Sequence, residues 1–406
     1  MTQGQHVRIP WLWLMLLLTL LSPLQAATLA EAVNAALDRH PEKVLPAAQR
    51  KVEAGHRRQA ETLLGGDPEI QVSAAGDDFG SDFGYEEYVA GVSVPVALPA
   101  QRSAHGLLAD RMALAAESAA ITLRWRVAGE VIDRAWRLRI ARTDLKEATR
   151  QWAAARALVK DIQHRFDVGE VSRNDLLMAR QDLVSVESSY QEALDALQKA
   201  RLAWHNHTGL DAVPEDLDTW SATMKSRPLK DHPALASARA EVEIARARVE
   251  AARAQRRAPP VISLFAKRDR GSRHEEYTDA LGVSLSVPLG TQTPAAAAIA
   301  EAEAELTRAQ ARLAAARRDL VQRQREAEQT LSRALHLHRL AQENHRLSRS
   351  RLKLAQRAFE LGEMDLYQLL LARRQSHQAT RELRLRELEK GRAQAMVYHL
   401  SGETPR

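Results

Sequence analysis

The sequence predicts a mainly α-helical protein with a small β part, in which long coiled-coil helices carry two short strand pairs. Three observations point there. Ala, Arg, Leu, Glu and Gln dominate the 406 residues and aromatics are only 4%, a composition of long helices in close contact. Apolar residues recur every seven positions along the two longest helical stretches, which is the spacing of a coiled-coil seam. The chain is also one unit written twice, with an offset of 191 to 193 residues.

The first 26 residues read as an address. Arg8 gives a positive start, Trp11 to Leu21 is an apolar run, and Leu24-Gln25-Ala26 offers a small residue at the cut. That is the plan of a secretory signal peptide, too short to span a bilayer as a helix. Export agrees with a chain that has no cysteine. The 58 basic residues are interspersed with 52 acidic ones, which reads as solvated helix faces and not as a nucleic-acid surface.

The duplication sets the remaining elements. His40-Pro41 recurs as His232-Pro233, Gly91-Val92-Ser93-Val94 as Gly282-Val283-Ser284-Leu285, and Thr208-Gly209 as Ser401-Gly402. The first unit, 27–209, is expected to hold a helix over 29–64, a hairpin over 69–96, a long helix over 101–166 and a return helix over 172–207. A linker, 210–231, carries Pro214 and Pro228 and breaks the helical pattern. The second unit, 232–406, repeats the order: a helix over 233–257, a hairpin over 261–288, a long helix over 294–359 and a return helix over 365–400. At 1.5 Å per residue each long helix measures about 100 Å. In the first, Val131, Leu138, Leu145, Trp152, Val159 and Phe166 fall seven apart, with Ala141, Ala148, Ala155 and Ile162 three residues on. In the second, Leu340, Leu347, Leu354 and Leu361 form the expected seam.

The strands alternate. Tyr88, Ala90, Val92 and Val94 share one face, as do Ile262, Leu264 and Ala266, and Leu281, Val283, Leu285 and Val287. Strands of this length with one apolar face suit a membrane barrel, and Phe79, Phe83, Tyr85 and Tyr88 around the first hairpin tip suit an interface belt. Two hairpins in a soluble sheet would show the same alternation; export and duplication favour the barrel. Pro95 and Pro288 each follow a valine and close the last strand of each unit.

Two turns carry a resemblance. Phe166-x-x-Gly169-x-x-Ser172-x-x-Asp175-Leu176-Leu177-x-Ala179 answers Phe359-x-x-Gly362-x-x-Asp365-x-x-Gln368-Leu369-Leu370-x-Ala372. With the strand exits Ser93-Val94-Pro95 and Ser286-Val287-Pro288, they make the chain resemble the TolC family of outer-membrane factors over nearly its whole mature length. The resemblance implies a homotrimer in the outer membrane of a Gram-negative bacterium. Each subunit gives four strands to a twelve-stranded transmembrane barrel, and the helices form a tunnel in the periplasm. It implies a passive export duct, not an enzyme and without a cofactor, joined by a periplasmic adaptor to an inner-membrane pump of the RND type.

By match, the adaptor would meet the periplasmic tip at Phe166, Gly169, Glu170, Val171 and Ser172, and at Phe359, Gly362, Glu363, Met364 and Asp365. Where the archetype carries two constricting aspartates, this chain has Gln368 and Leu371, which leaves Asp175 to supply an acidic ring. Without cysteine there is no residue for the lipid anchor of many relatives. This unlipidated, histidine-containing form looks most like the heavy-metal resistance branch. Drug efflux and type I protein secretion share the architecture, and a soluble periplasmic coiled-coil adaptor is a further alternative. His205 with His207, and His336, His338 and His345, read as structural or solvated; Asp77, Asp78 and Asp82 lack the ligand spacing of a calcium loop.

Overall fold

The computed structural model describes residues 28–77, 80, 83–218, 228–289 and 293–405. The expected leader, Phe79, Asp78, Asp82 and much of the expected linker lie outside them. The described chain is mainly helical, with a single four-stranded antiparallel sheet. In order it forms α1 (Leu29–Arg39), α2 (Leu45–Glu61), β1 (Glu69–Gly76), β2 (Glu86–Pro95), α3 (Pro99–Asp167), α4 (Arg173–Thr208), α5 (Ala236–Ala254), β3 (Val261–Arg270), β4 (Thr278–Ser286), α6 (Thr293–Glu360) and α7 (Leu366–Leu400).

The helix expected over 29–64 is two helices. His40 precedes Pro41 and is extended, φ −72° and ψ 129°, because a residue before proline is pushed out of the α region. Its imidazole Nδ1 accepts the Glu42 N–H at 3.2 Å. His232, before Pro233, is extended too, and its Nδ1 accepts the Ala234 N–H at 3.1 Å. The other nitrogen of His232 donates to the Leu400 carbonyl at 3.0 Å, which fixes a neutral, buried ring in one tautomer.

The two long helices organise the rest. α3 packs along α2, α4, α5 and α7, and α6 packs along α5 and α7. On α3, Val131, Leu138, Ala141, Ala148, Ala155 and Ile162 are buried, so the seven-residue rows do face neighbouring helices. At the middle of α3, Val127, Val131, Ile132 and Leu138 enclose one core with Leu29 and Val33 of α1, Leu197 and Trp204 of α4, and Ala395 of α7.

The leucine row expected on α6 does not face the subunit's own helices. Leu340, Leu347, Leu354 and Leu361 are 53% to 73% exposed, while Ala334, Ala341 and Ala355 are buried. Alanine lets a neighbouring helix come close, so the alanine row faces the subunit's own helices. The leucines point away, where this chain alone has nothing to cover them.

The sheet runs β1-β2-β3-β4, each pair antiparallel. Register lines up Ile70, Val92, Leu264 and Val283 in one row across all four strands, and Val72, Ala90, Ala266 and Leu281 in the next. These side chains share a face open to the surroundings: Ile70 is 80% exposed, Leu281 84% and Val283 73%. The opposite face carries a Ser93–Ser263 hydroxyl bond of 2.7 Å and a Lys267–Glu87 ion pair of 2.7 Å. There the Phe265 ring lies over Gly282, where a Cβ would come within 2.4 Å of it.

Candidate functional site

The two helix turns lie at one end of the helical body and share a core. Ile162, Leu176, Leu366, Leu369 and Leu370 are buried together, and Phe166, Val171, Phe359 and Met364 pack against them. The Arg165 guanidinium sits 5.6 Å from the centre of the Phe359 ring, so one turn clasps the other by a cation–π contact.

Both turns are built alike. α3 ends with the Gly169 N–H on the Phe166 carbonyl at 3.0 Å and the Glu170 N–H on the Arg165 carbonyl at 2.8 Å. α6 ends with Gly362 on Phe359 at 3.1 Å and Glu363 on Ala358 at 2.9 Å. This pairing satisfies the last carbonyls of a helix and requires a left-handed residue. Gly169 and Gly362 supply it with φ of 81° and 76°. No atom would obstruct a Cβ at either place, so glycine serves the backbone angle alone.

The return helices then start on caps. The Ser172 hydroxyl accepts the Asp175 N–H at 3.2 Å, and the Asp175 carboxylate accepts the Ser172 N–H at 3.0 Å and its hydroxyl at 2.7 Å. Asp365 accepts the Gln368 N–H at 2.7 Å. Asp175 is thus engaged as a helix cap, where its charge also suits the helix dipole. Glu170, Ser172, Gly362, Glu363, Asp365 and Gln368 are exposed, and Leu371 is 36% exposed. The turns therefore present a polar surface, with two glutamates, over an apolar base.

Above the turns, ion pairs cross between helices. Arg374 of α7 reaches Asp182 of α4 at 2.7 Å, and Arg381 of α7 holds Asp144 of α3 through two hydrogen bonds of 2.5 and 2.8 Å. Sequence reading missed these residues, along with Arg165; among 58 basic side chains no local pattern marks the few that pair across the fold.

Elsewhere His205 meets Asp211 at 3.0 Å, His207 lies 3.6 Å from Glu130, and His345 meets Thr380 at 3.2 Å. Asp77 closes the first hairpin by accepting the Phe83 and Gly84 N–H groups at 2.9 and 3.0 Å. Among the described residues no three acidic or histidine side chains gather to hold a metal ion, and no helix is long and apolar enough to cross a membrane.

Residues 226–403 match the model of the family described as outer membrane efflux protein. The cobalt-zinc-cadmium resistance protein CzcC of Cupriavidus metallidurans is 25% identical over 212 residues, 49% of this chain. The matched stretch spans 50% of that relative's length.

Among solved structures, CusC superposes with a TM-score of 0.71 at 15% identity, covering 94% of this chain and 95% of that one; its structures describe transmembrane channel formation. The outer membrane protein VceC of Vibrio cholerae gives 0.69 at 16% identity, over 93% and 96%. A membrane protein of Pseudomonas aeruginosa gives 0.69 at 18%, over 93% and 90%. At such identities the superpositions speak for the fold alone. The match to its second half and the metal-resistance relative thus make the chain similar to the outer membrane efflux proteins and to their heavy-metal resistance branch, on a fold shared with outer-membrane channels.

Proposed function

We propose that the chain is one subunit of a trimeric outer-membrane duct, built from two duplicated units, that exports divalent or monovalent heavy-metal ions. The observation that carries the duct is the sheet. All four strands turn apolar side chains to one open face, and β1 and β4 are left as edges. On β2 that face runs from Tyr88 to Val94 and rises about 20 Å at 3.3 Å per residue, close to the ~25 Å apolar band of an outer-membrane barrel. Four strands cannot close on themselves, and an eight-stranded barrel fills its interior with side chains. Three copies give twelve strands and leave a passage.

The exposed leucine row of α6 supports the same reading, because a neighbouring subunit would cover it. In this assembly the helices line a periplasmic tunnel. The turns at Phe166–Ser172 and Phe359–Asp365 meet a periplasmic adaptor, which joins the duct to an inner-membrane pump of the RND type. Asp175, Gln368 and Leu371 border the narrowing. The name of the curated relative favours metal ions as cargo.

The test is fractionation followed by light scattering in detergent. The mature protein is expected in outer membranes after a high-salt wash, and as a trimer once extracted. Recovery as a soluble periplasmic monomer would overturn the duct and favour a coiled-coil adaptor.

A further inference from the structure

The sheet face opposite the open apolar one carries one aromatic side chain within the four strands, Phe265. Register sets it in a row with Gln71, Gly91 and Gly282, and puts Glu69, Ser93, Ser263 and Ser284 in the row nearer the helices. Both cross-strand partners of Phe265 are thus glycines.

A Cβ on Gly282 would lie 2.4 Å from the ring Cζ, and 2.8 and 2.9 Å from its two Cε atoms. The far end of the ring therefore rests on the bare backbone of β4 and does not stand away from the sheet. On the other side, a Cβ on Gly91 would lie 2.9 Å from the Phe265 Cβ and 3.0 Å from the Leu264 carbonyl oxygen. Glycine inside a strand weakens it and marks a close approach. Here two strands carry that cost at one level, on either side of the bulkiest residue of the row.

A ring laid over a strand glycine also packs against the sheet, and in bulk solvent that would be a full account. In the trimeric duct, on which this inference rests, the same face is the wall of the passage. Twelve strands about 4.8 Å apart and tilted ~40° make a wall roughly 75 Å around, or about 24 Å across between backbones. Inward side chains take about 5 Å on each side, half the ~10 Å between packed sheets, so roughly 14 Å stays free. Three rings standing upright at one level would cut into that width.

We infer that Gly91 and Gly282 form a recess that holds Phe265 flat against the wall, so that the three rings of the trimer leave the passage open to wide cargo. Gly282 takes the ring itself, and Gly91 leaves a second bed beside it. Phe265 is then a positioning residue for size: its orientation, set by the two glycines, decides the widest solute that passes this level.

The chain has no cysteine, so Glu69→Cys, one row beyond the ring as seen from outside, reports on passage without interference. Intact cells are treated with a small charged maleimide or with a maleimide–polyethylene glycol about as wide as the free passage. In the parent both reagents should label position 69. Gly91→Ala with Gly282→Val fills both beds, and should slow the wide reagent roughly fivefold or more while leaving the small one unchanged. Adding Phe265→Ala to that variant should restore the parent rate. An unchanged rate for the wide reagent without that addition would overturn the inference. Slow labelling that persists after Phe265→Ala would assign the effect to the added bulk, and overturn it too. If the glycine variant fails to assemble, a density map of the wild-type trimer decides: a ring lying on β4 supports the recess, and a ring projecting into the passage refutes it. No labelling of the parent even by the small reagent would instead sink the duct reading, and this inference with it.

Discussion

The carboxylate of Asp175 accepts both the N–H and the hydroxyl of Ser172, so removing it takes away a cap as well as a charge. Asp175→Asn keeps an acceptor oxygen and loses the charge; Asp175→Ala loses both. The alanine variant should melt lower, by about 1 kcal/mol of stability. The asparagine variant should melt near wild type but show weaker cation selectivity and weaker divalent block in planar bilayers, if three such carboxylates ring a narrow pore. Unchanged selectivity in Asp175→Asn would restrict the residue to capping.

His399 offers a separate measurement. It is stacked on Trp125 at 4.7 Å between ring centres, and burial holds its pKa down at about 4. Because the folded value lies below the ordinary 6.5, the unfolded chain binds the proton more readily. The contribution is therefore complete above pH 6.5 and is lost as pH falls towards 4. At about 1.4 kcal/mol per pH unit, roughly 3 kcal/mol is at stake. His399→Gln should be less stable at pH 7 yet flatter over that range, as unfolding at stepped pH will show.

At the scale of elements, the exposed leucine row of α6 separates folding from assembly. Leu347 is 54% exposed in the single chain. Leu347→Glu should leave helical circular dichroism intact and shift light scattering from trimer towards monomer; a trimer of full stability would show that the row lies outside the subunit contact. This row also marks how far periodicity can be read. A spacing of seven reveals that a stripe exists but not which neighbour it meets, so the leucine row was legible while the burial of Ala334 and Ala341 against the subunit's own helices was not.

The strand faces were legible because a period of two survives any choice of partner. The pairing of β2 with β3 was not, since alternation carries no information about which strand lies alongside. The turns fall between these cases. Glycine and the capping residues announced their geometry, while the clasp of Arg165 on Phe359 depends on two helices arriving together. The break at His40 was written in the following proline, but the helical pattern on both sides masked it.

At the scale of the molecule, the cargo is open to a test in cells. Passage through the proposed duct requires no metal-holding site in this chain. Deletion of the gene should sensitise cells to zinc, cobalt or cadmium more than to dyes, and complementation should restore tolerance. Unchanged metal tolerance with raised dye retention would reassign the duct to drug efflux.

The ladder between β2 and β3 also has a consequence for the order of events during biogenesis. Ser93 and Ser263 touch across it although 170 residues separate them in the chain. Closing so large a loop directly costs roughly 2–3 kcal/mol more in entropy than closing a ten-residue hairpin. The intervening α3, α4 and α5 shorten that distance only after they have folded back along one another. The two hairpins can thus form early and locally, but their apolar faces must wait, unjoined, until the helical rod is made. Any chaperone that escorts this chain would have most to protect in that interval, and the β2–β3 amides should be the last of the sheet to gain protection from hydrogen exchange.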